Sequence, residues 1–185
     1  MPVDPAVLTI LRDRCERVLN MGHHGFGAEQ AKRCRLADIE VEGVKLAGDG
    51  ETVPERGATA TTTVELEVDE SCCNISGNAH GGFLAWLIDH CSSLSIFCLS
   101  APDRWTTSGV STNINTFYIS AAPLGTPLRV VSKIIQIGKS SATLEVRVEN
   151  RDTNKLVALG THVKQDVKRS PEATARIGKH LSSKL

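Results

Sequence analysis

The chain has no excess of charge of either sign and few aromatic side chains. Its 185 residues include 21 basic and 21 acidic ones, with only two Trp and one Tyr to stack on bases. A nucleic-acid-binding surface needs clustered basic residues, so no nucleic-acid partner is predicted. The longest apolar run, from 81 to 99, is interrupted by Asp89, His90 and several serines. Membrane insertion is therefore not predicted either.

Motifs for metals, nucleotides and serine nucleophiles are also missing. None of the six cysteines forms a Cys-x-x-Cys pair, and scattered cysteines are typical of reduced thiols rather than of a zinc site. Gly138-Lys139-Ser140 resembles the end of a phosphate-binding loop, but Lys133 stands where that motif needs Gly. There is no Gly-x-Ser-x-Gly elbow, and no dinucleotide fingerprint precedes a helix. No metal and no cofactor are predicted.

The most informative segment runs from Asn74 to Leu99. Small polar residues and glycines lead to Gly82, and apolar residues then recur at three- and four-residue steps. This spacing predicts a central, mostly buried helix that starts near His80. Its glycine-rich entry leaves free backbone N–H groups at the positive end of the helix dipole. Asp89 is the only acid inside the run, and a carboxylate there is costly unless it is paired or has a task.

Hydrophobic periodicity divides the rest of the chain into one further helix and six strands. Asp4 as cap and Pro5 at the first position predict a helix over 5–20. Strands are predicted over 36–46, 61–68, 108–119, 128–137, 143–149 and 156–165, with a polar loop over 48–57. This order predicts an α+β domain in which an antiparallel sheet wraps around the long helix. We divide the chain into an N-terminal helix and loop (1–35), the main domain (36–166) and a basic tail (167–185).

A family resemblance begins in the same segment. Asn74-x-x-Gly77-x-x-His80-Gly81-Gly82 followed by Asp89 resembles the hotdog-fold acyl-CoA thioesterases, in the branch of the phenylacetate-pathway thioesterases and acyl-CoA thioesterase 13. Three further segments share the resemblance, which covers about 36–166: Gly109-Val110-Ser111, Gly138-Lys139-Ser140 and Gly160-Thr161-His162-Val163-Lys164. Two departures fall where the family binds the pantetheine arm. Asn113 replaces a frequent Asp, and Ala121-Ala122-Pro123 replaces a Ser-Pro-Ala order.

The resemblance implies a hotdog fold with an extra N-terminal helix, and a role for each matching residue. The Gly81 N–H would stabilise the carbonyl oxygen, and Asp89 would act as base or covalent nucleophile, its basicity raised by apolar surroundings. Ser111 would hold the water, while Asn74 and His80 would position the loop and the carbonyl. The expected substrate-binding residues are Gly82, Asn113, Tyr118, Gly138, Lys139, Ser140 and Lys164. Each has a plainer alternative, such as a turn contact for Asn74 and Ser111 or a helix cap for His80.

The expected function is hydrolysis of acyl-CoA, with fatty acyl-CoA favoured, to free acid and CoA; the CoA thioester is the substrate and no cofactor is needed. Chain length and aromatic preference stay open. A non-catalytic acyl-CoA-binding protein is the first alternative. A hydratase or dehydratase is the second, and the Asp–His pair that this chemistry usually needs is not evident in the sequence.

Assembly and location are two further expectations. Gly81 and Asp89 are eight residues apart, about 12 Å along a helix, so a site that uses both is expected to be shared between chains. The expected state is a homodimer, with a homotetramer as its larger form. Ser183-Lys184-Leu185 matches the address that a peroxisomal import receptor reads. The expected location is the peroxisome, with the cytoplasm as alternative.

Overall fold

The computed structural model describes residues 3–21, 24–102 and 104–167. In chain order, its elements are α1 Pro5–Met21, α2 Ala28–Ala31, β1 Arg35–Leu46, β2 Thr52–Glu67, a 3₁₀ turn Glu70–Cys72, α3 Gly81–Cys98, β3 Val110–Tyr118, β4 Pro127–Ile137, β5 Ser141–Asn150 and β6 Leu156–Gln165. The peroxisomal address falls outside the described residues and stays a prediction.

All six strands form one antiparallel sheet in the order β1-β2-β4-β5-β6-β3. Alternate residues of its central strands are buried, as the two-residue period of a strand requires: Leu128, Val130 and Ile134 on β4, and Leu144, Val146 and Val148 on β5. α3 packs against β2, β3, β4, β5 and β6. The predicted α+β fold, a sheet wrapped around a central helix, is confirmed.

α3 occupies the centre because its side chains are small or apolar on most sides. Ten of its 18 residues are buried, and the buried Ser95 hydroxyl donates to the Ser132 carbonyl at 2.8 Å. Among the described residues, α3 is the one helix long and apolar enough to cross a membrane by length and composition. Asp89, His90 and several serines interrupt this run, and for that reason no membrane insertion was predicted. In the fold, α3 is the core helix under the sheet.

α1 covers α3 and β1 with a single apolar stripe. Val7, Leu11, Cys15 and Leu19 are buried at four-residue steps, the spacing of one helical face. The Ala6 N–H donates to Asp4 Oδ1 at 2.9 Å, which is the predicted cap. The helix extends one residue beyond the predicted end.

β2 begins at Thr52, nine residues before the predicted start, so most of the predicted 48–57 loop is strand. The prediction of a loop over 48–57 was wrong because Pro54 and Gly57 usually interrupt strands. Here the first half of β2 pairs only with β1, with Val44 opposite Pro54, and β4 joins from Thr61 onward. A proline is tolerated where one side of the strand has no partner.

Gly160 on β6 lets the sheet approach α3 closely. A Cβ at this position would lie 2.7 Å from Ile88 Cδ1. We expect Gly160→Ala to lower the free energy of unfolding by about 1–3 kcal/mol, because the extra methyl overpacks the core. Denaturant unfolding measures this, with Gly48→Ala as control, since nothing lies within 4 Å of a Cβ there. Equal midpoints for Gly160→Ala and wild type would contradict the close contact.

Candidate active site

Asp89 lies on the side of α3 that faces β3 and β6, and its side chain is 49% exposed. Two adjoining cavities meet at it. The β3 groove, about 510 Å³, is lined by Gly82, Ala85, Asp89, Ile114, Thr116 and Tyr118. The α1 cavity, about 440 Å³, is lined by Val18, Leu19, Asp89, Ser93, Leu94 and Lys164 among others. The sequence suggested that apolar residues enclose this acid. In the structure they do not, and both a water and a substrate can reach it.

Ser111 reaches Asp89 through an irregularity in β3. Ser111 pairs with Lys164 and Asn113 with Val163, so Thr112 is an extra residue in the ladder. Such a bulge turns the next side chain to the other face, which puts Ser111 on the same side as Ile114. The Ser111 Oγ lies 3.3 Å from Asp89 Oδ1. The two predicted residues are thus brought together.

His162 completes this cluster and was not among the predicted site residues. It is fully buried on the inner face of β6. Its Nε2 lies 2.9 Å from Ser111 Oγ and 3.7 Å from Asp89 Oδ1, and its Nδ1 lies 2.7 Å from Ser92 Oγ. His162 lies in the Gly160–Lys164 segment that shares the family resemblance. The sequence of a strand does not reveal, however, which face of the sheet a histidine occupies.

Burial, reinforced by the nearby Lys164 ammonium and opposed by Asp89, lowers the pKa of His162 to about 4. The imidazole is therefore neutral near pH 7, with one nitrogen donating and one accepting. Ser92 Oγ also donates to the Asp89 main-chain carbonyl at 3.0 Å. The three shortest contacts are satisfied together when Nδ1–H donates to Ser92 and the Ser111 hydroxyl donates to Nε2. The longer contact, in which the Ser111 hydroxyl donates to Asp89 Oδ1 at 3.3 Å, competes for the same proton, and the exposed half of the carboxylate is open to a water.

The N-terminus of α3 gathers the other predicted catalytic residues. The Gly82 N–H donates to His80 Nδ1 at 2.9 Å, so His80 is the helix cap. Gly81 opens the helix, where N–H groups have no partner within the helix, and its carbonyl accepts from the Tyr118 hydroxyl at 3.1 Å. Asn74 Oδ1 accepts from the N–H groups of Ser76 and Asn78 at 2.9 and 3.3 Å. Asn74 therefore holds the preceding turn.

Four of the predicted binding residues do not lie at Asp89. Asn113 is exposed on β3 and accepts from Asn115. Gly138, Lys139 and Ser140 form the turn between β4 and β5, where Trp105 Nε1 donates to the Gly138 carbonyl at 2.9 Å. Within the described residues, no hydrogen bond joins this turn to Asp89. Gly82 and Tyr118, by contrast, line the β3 groove.

Lys164 lies inside the fold, on the same inner face of β6 as His162, and is 3% exposed. Its ammonium donates to Ser93 Oγ at 2.9 Å. Burial lowers the pKa of Lys164, and the Asp89 carboxylate opposes that shift. Lys164 lines the α1 cavity and so faces that cavity rather than the open surface.

A six-stranded antiparallel sheet around one long helix, with an acid on that helix, defines a hotdog-fold protein. Residues 76–157 match the model of the thioesterase superfamily. The chain is 35% identical over 102 residues to human acyl-coenzyme A thioesterase 13, which covers 54% of this chain and 69% of that protein. The chain belongs to the thioesterase superfamily. This confirms the predicted family and the enzyme class, a thioester hydrolase.

Two solved structures show the same fold. Zebrafish thioesterase superfamily member 2 aligns with a TM-score of 0.65 and 21% identity, over 85% of this chain and 96% of that one. A Streptococcus pneumoniae thioesterase determined with coenzyme A aligns with a TM-score of 0.53 and 23% identity, over 72% and 89% of the two chains. At these identities the likeness establishes the fold alone.

The lowered pKa of His162 predicts a pH-dependent stability. Because the pKa of an unperturbed histidine is 6.5 and that of His162 in the folded protein is about 4, the unfolded chain holds more protons between these pH values. The contribution is complete above pH 6.5 and is lost toward pH 4, at most about 3 kcal/mol of unfolding free energy. We expect His162→Gln to remove this part of the slope in denaturant titrations across pH 4–7.

The paired carboxylate Glu149 serves as the internal reference for that titration. Burial raises the pKa of Glu149, but the hydrogen bonds and charges of Arg129 and Arg147 outweigh burial, and the pKa is lowered. Glu149 and both arginines are present in wild type and in His162→Gln. Its acid-labile contribution to the slope is therefore common to wild type and variant. Identical slopes for the two proteins would mean that His162 is not held neutral.

Proposed function

We propose that the protein hydrolyses acyl-CoA to a free acid and CoA. One observation carries the proposal: the Asp89 carboxylate is half-exposed, beside Ser111 and a buried His162 whose lowered pKa keeps it neutral. The acyl-CoA thioesterase among the relatives and the coenzyme A in the bacterial structure support the choice of thioester.

In the proposed reaction, the thioester oxygen accepts from the Gly81 N–H at the α3 N-terminus, where the helix dipole favours the developing negative charge. Asp89 takes a proton from a water held by Ser111 as the water attacks the carbonyl carbon. The CoA thiolate leaves without a strong acid, since a thiol pKa is about 8.5. We favour a base over a covalent nucleophile because the exposed half of Asp89 has room for a water.

We further propose fatty acyl groups as substrates. Val18, Leu19 and Leu94 give the α1 cavity an apolar wall next to Asp89. An acyl chain placed there would leave the solvent as it binds.

We also propose that two chains share each site. β3 is the last strand of the sheet, and its second edge has no neighbouring strand among the residues that the structure describes. Val110, Phe117 and Tyr118 on that strand are more than half exposed, and an edge strand with such residues is suited to pairing with another chain. The β3 groove runs beside this edge, so a partner would border it.

One observation that the sequence did not reveal supports a hydratase or dehydratase as the alternative. His162 Nε2 lies 3.7 Å from Asp89 Oδ1, which is the Asp–His pair that this chemistry usually needs. However, His162 is fully buried and both ring nitrogens are engaged by serines. It cannot reach a substrate carbon without losing these contacts, so we favour hydrolysis.

A panel of acyl-CoA esters separates the three functions. Thiol release with a coloured disulfide reagent is expected for at least one fatty acyl-CoA, in proportion to enzyme concentration. Binding of the esters with no thiol release would instead identify a non-catalytic binding protein. Appearance of 2-enoyl-CoA absorbance from 3-hydroxyacyl-CoA, without thiol release, would identify a dehydratase.

A further inference from the structure

Lys164 is a buried charge whose position the hydrolysis of a simple acyl-CoA does not explain. It is 3% exposed, yet it lines the α1 cavity together with Asp89 and apolar side chains. Removing an ammonium from water is expensive unless charge or hydrogen bonds replace the water. Ser93 accepts one of its three protons, at 2.9 Å. The Lys164 ammonium can therefore donate to a further acceptor in the cavity.

The contact of Lys164 with Ser93 on α3 fixes which part of an acyl group this lysine meets. Its partner Ser93 follows Asp89 by four residues, roughly 6 Å along the helix axis. An acyl chain whose carbonyl lies at Asp89 and whose tail enters the α1 cavity passes this point at roughly its third to fifth carbon.

The charges around Lys164 select the kind of acceptor. The Asp89 carboxylate faces the same cavity, and it favours the charged form of Lys164. The negative charge of Asp89 therefore balances the positive charge of Lys164. A carboxylate on the acyl group would add an unbalanced negative charge next to Asp89, the proposed base. A neutral hydroxyl or keto oxygen would accept from Lys164 without this cost. Ser108 also lines this cavity and offers a hydroxyl as a further polar group.

We propose that Lys164 is a specificity-determining residue that selects acyl groups with a hydroxyl or keto oxygen near the third to fifth carbon. The proposal rests on the proposed acyl-CoA hydrolysis and names its acyl class. The apolar wall accommodates the rest of the chain, and the lysine supplies the hydrogen bond that plain acyl groups leave unmade.

The test compares kcat/KM of wild-type protein for hexanoyl-, 3-hydroxyhexanoyl- and 5-hydroxyhexanoyl-CoA. We expect one hydroxylated ester to exceed hexanoyl-CoA by about tenfold or more, the effect of a hydrogen bond to a charged group. Glutaryl-CoA carries a carboxylate at its fifth carbon, and its kcat/KM is expected to be lower than that of hexanoyl-CoA and that of the preferred hydroxylated ester. Equal values for the three six-carbon esters, or a preference for glutaryl-CoA, would overturn the proposal and leave acyl-CoA hydrolysis intact.

The variant Lys164→Met assigns the preference to this side chain. We expect the ratio of hydroxylated to plain ester to fall to about one, whatever the absolute rate. The exposed Lys155 is the matched control, and Lys155→Met is expected to keep the wild-type ratio. If Lys164→Met does not fold, Lys164→Leu replaces it, since it also lacks a donor, and an unchanged ratio there contradicts the proposal.

A binding measurement keeps the two proposals separable. If no ester releases thiol, acyl-CoA hydrolysis fails as the function. Calorimetric binding of the same esters to Asp89→Asn then decides on Lys164: about tenfold tighter binding of a hydroxylated ester supports its role, and equal affinity contradicts it.

Discussion

Asp89→Asn is expected to lower kcat by about 10²-fold or more with little change in substrate affinity. The amide has nearly the same shape as the carboxylate, so Ser111 and His162 keep their neighbours, but the amide cannot take a proton from water. Thiol release under saturating acyl-CoA measures kcat, and calorimetry measures binding.

Two controls make the Asp89→Asn result specific. Asp152→Asn changes an exposed carboxylate in the turn after β5 and is expected to keep wild-type turnover. The unfolding midpoint of Asp89→Asn shows whether the fold survives. Near-normal turnover in a folded Asp89→Asn protein would remove Asp89 from the mechanism.

The fold was largely predictable because its signals are local. Helical spacing marked α1 and α3, and strands β4, β5 and β6 lie within two residues of the predicted bounds. β2 was the exception, because the partner that tolerates Pro54 is β1, and pairing between strands is not a local property. The start of α3 was predictable for the opposite reason, since His80 and the two glycines after it lie together in the sequence.

The site was only half predictable. Asp89 and Ser111 come from segments that carry the family pattern, and the bulge at Thr112 joins them. His162 was missed because alternation in β6 suggests the wrong face. Its larger apolar residues, such as Leu159 and Val163, share one face, yet Gly160, His162 and Lys164 point inward. A small residue against Ile88 and polar ones beside the acid are demands of the assembled core.

Mixing two inactive variants is expected to restore about a quarter of the wild-type sites if two chains share each site. The first variant is Asp89→Asn. The second is Asn74→Asp, which keeps the Oδ acceptor for the Ser76 and Asn78 N–H groups but replaces the amide donor with a negative charge. Because Asn74 holds the turn that leads to Gly81, this charge would oppose the developing oxyanion of the proposed reaction, and about 10²-fold loss of kcat is expected for this variant alone.

Random pairing of equal amounts gives mixed dimers for half of the population. In each mixed dimer, one site combines the intact Asn74 of one chain with the intact Asp89 of the other, and the second site carries both changes. If one chain instead supplied both groups, every site in the mixture would carry one change, and activity would stay at the level of the separate variants. Subunit exchange is verified beforehand by mass spectrometry of differently tagged chains. Exchange without recovery of thiol release would show that Asn74 and Asp89 of the same chain serve one site, and that the exposed edge of β3 has another use.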